Sequence, residues 1–106
     1  TAVSLLAANN TTSGAIRIDN NTGGLLTIGQ VDGMVGVTNA GSTAQVIDIL
    51  NNGGITVNGA VRNSTGGDIQ LTANANGGGD DHLTVNAVIA ATNGNGDILL
   101  TAGNNQ

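Results

Sequence analysis

Ile55-Thr56-Val57-Asn58 recurs 28 residues later (83 minus 55) as Leu83-Thr84-Val85-Asn86. Asp68-Ile69-Gln70-Leu71-Thr72-Ala73 recurs 29 residues later (97 minus 68) as Asp97-Ile98-Leu99-Leu100-Thr101-Ala102. Repeats of this length are typical of solenoids and related arrays. Each phrase alternates apolar and polar residues, as does a strand with one buried face. The four stretches therefore predict two short strands in each coil of a β-solenoid.

Weaker versions of the same phrases precede them. Val3-Ser4-Leu5 and Leu26-Thr27-Ile28 match the first phrase, while Gly14–Ile18 and Ile47-Asp48-Ile49 match the second. First phrases thus begin at 3, 26, 55 and 83, with spacings of 23, 29 and 28. Met34-Val35-Gly36-Val37 adds an extra short strand or a corner to the second unit. We expect one domain over 1–106, an all-β, right-handed parallel β-helix of about four coils of 23 to 29 residues.

The alternation assigns an inward or outward direction to each strand residue. The predicted inward residues are Val3, Leu5, Ile16, Ile18, Leu26, Ile28, Val35, Val37, Ile47, Ile49, Ile55, Val57, Ile69, Leu71, Leu83, Val85, Ile98 and Leu100. The predicted outward residues form a hydroxyl ladder on one face, comprising Ser4, Thr27, Thr56 and Thr84, and a mixed row on the other, comprising Arg17, Asp48, Gln70 and Leu99. Arg17 beside Asp48 would be an exposed ion pair.

Asparagine and glycine mark the corners. Several Asn-Gly pairs, and Asp32-Gly33, suit turns because these residues tolerate positive φ. Asn58 and Asn86 follow the two copies of the first phrase, so their amides could form a ladder along the axis. The alternative is that they only form turns.

The composition favours thin stacked layers. The chain has 18 Gly, 16 Asn and 13 Thr but no Phe, Tyr, Trp, Pro or Cys. A core filled only by Val, Ile, Leu and Ala implies a narrow, regular interior, since irregular cores normally contain aromatics. An antiparallel hairpin sandwich is the main structural rival, and disorder is the second. The chain begins at Thr1, so we expect a fragment or a processed segment.

The charge excludes some partners. Arg17 and Arg62 are the only Lys or Arg residues, and the formal net charge is −5. Nucleic acid and anionic membranes attract basic patches, which this chain lacks, so neither is expected as a partner. No apolar run is long enough for membrane insertion. The absence of cysteine does not assign a compartment.

Catalysis has little support in the sequence. Glycan-cleaving or lyase chemistry needs clustered carboxylates or a positioned base. Arg17 and Arg62 fall in different coils, Asp68 and Asp97 occupy repeated turn positions, and His82 is the single histidine. We expect no enzyme and no catalytic residue.

One motif suggests calcium. The stretch from Asn76 to Thr84, Asn-Gly-Gly-Gly-Asp-Asp-His-Leu-Thr, resembles the nonapeptide of calcium-binding β-rolls. The candidate ligands would come from Gly77, Gly79, Asp80 and Asp81. Calcium takes six to eight oxygens, and β-rolls supply them from successive copies, whereas this chain has one copy. The alternative, which we favour, is a glycine-rich corner with two exposed aspartates and no cofactor.

The repeats also resemble a known group. The Gly-Asp-Ile-x-Leu-Thr-Ala phrases at Gly67–Ala73 and Gly96–Ala102, with the phrases at Ile55 and Leu83, are similar to those of filamentous-haemagglutinin-like exoproteins and large bacterial surface adhesins. The resemblance spans most of the chain and is compositional. It implies a secreted, right-handed parallel β-helix that serves as a stalk, adhesin or biofilm-matrix fibre. The Asn-Pro-Asn-Gly type motif of that group's secretion domain is absent, which assigns this segment to the stalk.

These observations predict a structural, non-enzymatic segment of an extracellular or cell-surface fibre. Its expected partners are copies of itself, joined head to tail, and host or matrix glycans or proteins. If Thr1 of a second copy followed Gln106, the step from Leu83 to the next Val3 would be 26 residues (109 minus 83), within the range of the internal coils. The second interpretation is a calcium-stabilised β-roll module of a secreted protein.

Overall fold

The computed structural model describes residues 3–21, 23–76 and 81–103. In this part of the chain all regular structure is β, and fourteen strands are present. Sheet 1 contains β1 (Leu5–Leu6), β4 (Leu26–Ile28), β9 (Ile55–Val57) and β12 (Leu83–Val85). Sheet 2 contains β2 (Ala8–Asn10), β7 (Val37–Asn39), β10 (Val61–Asn63) and β13 (Ile89–Ala91). Sheet 3 contains β3 (Ile16–Asn20), β8 (Ile47–Asn52), β11 (Ile69–Asn74) and β14 (Ile98–Thr101). A separate hairpin joins β5 (Gln30–Val31) and β6 (Met34–Val35).

All three large sheets are parallel, and each takes one strand from each successive coil. Three turns therefore separate the first and fourth strands of a sheet. The register of the two repeated phrases is as predicted: Ile55 lies opposite Leu83, and Ile69 lies between Ile47 and Ile98. The chain is a parallel β-solenoid, which confirms the predicted fold class and excludes the antiparallel sandwich.

Each coil has three faces rather than the two that we predicted. Sheet 2 is the additional face, and Val37, Val61 and Ile89 stand in its inward column. Its strands are only three residues long and two of them end in a buried asparagine, Asn39 and Asn63. Since asparagine usually marks a turn, the sequence pattern gave these strands the appearance of corners.

The core lies between the three sheets and consists of aliphatic side chains. Ten of the predicted inward residues are buried: Ile16, Leu26, Ile28, Val37, Ile47, Ile49, Ile55, Val57, Ile69 and Leu71. Three others are partly buried against this cluster: Val3, Ile18 and Leu83. Val61 and Ala73 are also buried, and neither was predicted. The remaining five predicted core residues, treated next, are exposed.

The predicted phase of the first strand was wrong by one residue. Leu5 pairs with Thr27 and Leu6 with Ile28, so Ser4, not Val3, lies opposite Leu26. Leu5 consequently points outward and is 46% exposed. Ser4 is not part of the hydroxyl ladder, which is formed by Thr27, Thr56 and Thr84. Two adjacent leucines fit either phase of a period-2 pattern, which explains the error.

Val35 was predicted to be buried and is 56% exposed, because Met34–Val35 forms one arm of a hairpin that leaves the coil. Asp32 and Gly33 form its two-residue turn, with φ of 51° and 84°. Positive φ at both positions is the geometry of a type I′ turn, which matches the twist of a hairpin. The predicted extra strand is therefore present, but it projects outward.

Val85, Ile98 and Leu100 were also predicted to be buried and are exposed, by 42% to 45%. Ile98 and Leu100 continue the inward columns through Ile69 and Leu71, and Val85 continues the column through Val57. Their direction was therefore right. They are exposed because no described strand packs on the outer side of the last coil.

Buried asparagines connect the corners to the core. Asn63 Nδ2 donates to the carbonyls of Gln45 and Asp68 at 2.7 and 2.9 Å, and its Oδ1 accepts from the backbone N–H of Thr65. Asn20 Nδ2 donates to Asn51 Oδ1 of the next coil at 3.0 Å. Because each buried amide has partners, its burial costs little and fixes the backbone of the corner.

The predicted amide ladder is confirmed. Asn86 Nδ2 donates to Asn58 Oδ1 at 2.9 Å, and the same geometry links Asn10 to Asn39 at 3.1 Å. The predicted pair of Arg17 and Asp48 is also present, with 3.3 Å between Arg17 Nη1 and Asp48 Oδ2. Both of its side chains are substantially exposed, so it contributes at most about 1 kcal/mol.

Candidate functional site

The candidate calcium residues fall mostly outside the described chain. Gly77, Gly79 and Asp80 belong to the undescribed segment 77–80, and Asp81 alone is described. Contrary to the expectation of an exposed aspartate, Asp81 is 1% exposed. Its Oδ2 accepts a long hydrogen bond of 3.4 Å from the N–H of Asn76, and its Oδ1 has no hydrogen-bond partner. Residues 3–21, 23–76 and 81–103 contain no group of three or more His, Cys, Asp or Glu that could hold a metal ion.

The charged residues considered for catalysis lie apart or serve the backbone. Arg17 is on β3 of sheet 3, whereas Arg62 is on β10 of sheet 2. Asp68 Oδ1 accepts from the backbone N–H of Asp97 at 2.8 Å, which links the same corner of two coils. This is a structural role for the repeated aspartate.

The outer face of sheet 3 carries a shallow polar groove. One depression of about 450 Å³ is lined by Asp19, Asn21, Leu50, Asn52 and Asn74. A neighbouring depression of about 340 Å³ shares Asp19 and Leu50 with it and extends to the pair of Arg17 and Asp48. Amides and one aspartate outside the ion pair can hydrogen-bond a neutral polar ligand, but they supply no net positive charge for an anionic one.

The two ends of the solenoid form the most extensive candidate surface. Within the described residues, β12, β13 and β14 pair with a neighbour on one side only, as do β1, β2 and β3 at the other end. The backbone N–H and C=O groups on the open sides of these six strands are available to a further strand. The last coil also concentrates the exposed aliphatic residues: Val85, Val88, Ile98, Leu99 and Leu100.

The open ends match each other column by column. Ile98 and Leu100 stand in the columns that begin with Ile16 and Ile18 in sheet 3. Val85 stands in the column that begins with Leu6 in sheet 1. A first coil placed beyond the last coil would therefore set aliphatic side chains against aliphatic side chains.

The corrected phase keeps this match in sheets 1 and 2. With Ser4 opposite Leu26, first-sheet strands begin at 4, 26, 55 and 83, with spacings of 22, 29 and 28. The sequence predicted the open ends, but it missed sheet 2, where Ile89 stands in the column that begins with Ala8. The period-2 pattern of Val37-Thr38-Asn39 and Val61-Arg62-Asn63 was the available signal.

Comparisons with known proteins give no match: no family model, no curated protein and no solved structure is similar to this chain. Across the described residues there is also no helix of the length and hydrophobicity needed to span a membrane.

Proposed function

We propose that this chain is a structural, non-enzymatic segment of an extracellular fibre or adhesin stalk, and that copies stack end to end into a continuous β-solenoid. The observation that carries the proposal is the column-by-column match of the two open ends. Each copy added would bury the exposed aliphatic residues of one last coil and pair the open strands of three sheets. Both gains favour association.

The interface is heterologous, because the first coil of one copy meets the last coil of another. Heterologous contacts whose rotation does not close produce open filaments rather than closed oligomers. Parallel coils would continue across each junction at about 4.8 Å per coil. The extracellular location is supported by the sequence resemblance to bacterial surface exoproteins, and the polar groove on sheet 3 would be the surface offered to glycans.

The test compares two substitutions on adjacent residues of β14. Leu100 points into the column that a second copy would cover, whereas Leu99 lies opposite Gln70 in the outward row. Both side chains are about half exposed, at 42% and 55%. Leu100→Asp should abolish filaments in electron microscopy and concentration-dependent mass growth in light scattering, because it would bury an unpaired carboxylate at the junction. Leu99→Asp should leave both unchanged.

Filaments of the unmodified chain should also diffract with an axial spacing of about 4.8 Å. A monomer that persists at high concentration would overturn the proposal. Equal effects of the two aspartates would overturn the assignment of the junction.

One observation favours a second candidate, a calcium-stabilised module. The buried Oδ1 of Asp81 has no partner, and such an oxygen is a suitable calcium ligand. The stalk proposal expects the same melting temperature in calcium and in chelator. A calcium module requires a higher melting temperature in calcium, and Asp81→Asn should remove that increase.

A further inference from the structure

Four Asn-Gly pairs lie wholly within the described residues, and they differ in one respect that matters chemically. The pairs are Asn52-Gly53, Asn58-Gly59, Asn93-Gly94 and Asn95-Gly96. Asn-Gly sequences can lose ammonia, because the glycine N–H can attack the asparagine side-chain carbonyl without obstruction from a side chain. The attacking nitrogen must be free, so a hydrogen bond that holds the glycine N–H protects the pair.

The first two pairs are protected by the neighbouring coils. The N–H of Gly53 donates to the carbonyl of Asn74 at 3.0 Å, and the N–H of Gly59 donates to the carbonyl of Ile28 at 2.9 Å. Both glycines are buried. Attack at either pair therefore requires local separation of two coils.

The other two pairs are in the last coil and lack this protection. In the described part of the chain, the N–H groups of Gly94 and Gly96 donate to no acceptor. The side chain of Asn93 is held by a 2.9 Å bond from its Nδ2 to the carbonyl of Ser64. The exposed side chain of Asn95 makes no such bond with a described residue.

Asn95 is also an additional residue at its corner. Ile89 lies opposite Val61, an offset of 28 (89 minus 61), while Ile98 lies opposite Ile69, an offset of 29 (98 minus 69). One residue is therefore inserted between these strands in the last coil. An inserted residue has no counterpart in the preceding coil to hold it in the ladder, which leaves its backbone free to reach the reactive geometry.

We propose that Asn95 is a site of spontaneous deamidation in the folded protein, with Asn93 reacting more slowly. The Gly96 nitrogen forms a bond to Cγ of Asn95 and gives up its proton to water acting as base. The Cγ–Nδ2 bond breaks, the leaving amine takes a proton, and ammonia departs from a five-membered succinimide. Water then adds to one of the two ring carbonyls and opens the ring to aspartate or isoaspartate.

The product would change the charge at a corner that already carries two acidic groups. Asp97 follows Gly96 directly, and its backbone N–H contacts the Asp68 carboxylate. A new carboxylate at Asn95 adds a like charge there, and isoaspartate adds a backbone carbon to the corner. If copies stack as proposed above, this change falls at the junction.

The test is tandem mass spectrometry on the folded chain during incubation at mildly alkaline pH. Asn95 should deamidate at least about tenfold faster than Asn52 or Asn58, the factor for a coil separation that costs ~1.4 kcal/mol. In denaturant the pairs should react at similar rates, because the hydrogen bonds of Gly53 and Gly59 are lost.

Two matched variants complete the experiment. Asn95→Gln should remove most of the early product, because glutamine must close a less favourable six-membered ring, while Asn58→Gln should not alter the rate at Asn95. Similar rates at Asn52, Asn58 and Asn95 in the folded chain would overturn the proposal. So would a folded chain that does not react at Asn95. Neither result requires the chain to stack, so both are independent of the proposed function.

Discussion

Ile69→Ala should be among the most costly single truncations in the chain. Ile69 is fully buried and lies in an inward column between Ile47 and Ile98. The substitution removes three carbons, worth about 0.8 kcal/mol each or ~2.4 kcal/mol together. A cavity bounded by neighbours on both sides adds to this, so the expected loss is about 3 to 4 kcal/mol.

Ile98→Ala provides the matched control, because the same three carbons are removed from the same column. Ile98 is 44% exposed and has a coil on one side only, so roughly half of the transfer free energy and little of the cavity term apply. The expected loss is about 1 kcal/mol for the unstacked chain. If copies stack, Ile98 becomes an internal residue, and its truncation should then cost as much as that of Ile69.

Urea unfolding followed by far-ultraviolet circular dichroism measures both losses. The chain has no Trp, Tyr or Phe, so intrinsic fluorescence offers no signal. The comparison should be made at a concentration where light scattering reports monomer. Equal losses for the two variants under that condition would refute the assignment of Ile98 to an open end, and a negligible loss at Ile69 would refute the core column itself.

Two other pairs of variants test the corners. Gly36→Ala should destabilise the chain by more than about 2 kcal/mol, because φ is +75° and a Cβ would collide with the backbone of Ala60, whereas Gly33→Ala, with φ of +84° and no atom within 4 Å, should cost about 1 kcal/mol. Similar losses from thermal melts would contradict the close approach at Gly36. Asn63→Ala should cost about 2 to 3 kcal/mol because it leaves buried backbone groups short of partners, while Asn86→Ala, exposed and with one ladder bond, should stay within about 0.5 kcal/mol. Equal urea midpoints for these two would show that the buried amides are not structural.

The sequence predicted sheets 1 and 3 because their strands alternate clearly and repeat. It did not predict sheet 2, in which Asn39 and Asn63 point into the interior. A buried asparagine is stable there only because backbone carbonyls at the corners lie within reach of its amide. That condition depends on the positions of neighbouring coils, which a single strand's pattern does not contain.

The candidate surface was predictable in outline but not in detail. The equal spacing of the phrases indicated open ends, and the inward direction of Ile98 and Leu100 followed from alternation. Their exposure depends instead on whether another coil packs against them, which is a property of the assembly. Likewise, the protection of Gly53 and Gly59 follows from hydrogen bonds between coils, so the four Asn-Gly pairs look equivalent in the sequence.

The hairpin of β5 and β6 gives a filament of such chains a longer period than that of its coils. Val31, Met34 and Val35 project from the second coil with 41% to 56% of their surface exposed. In a stack of identical four-coil copies this apolar knob would recur once every four coils, at about 19 Å along the axis for a rise of ~4.8 Å per coil. The filament would then present a regularly spaced row of hydrophobic projections, and neighbouring filaments could attach along that row through many weak contacts at once.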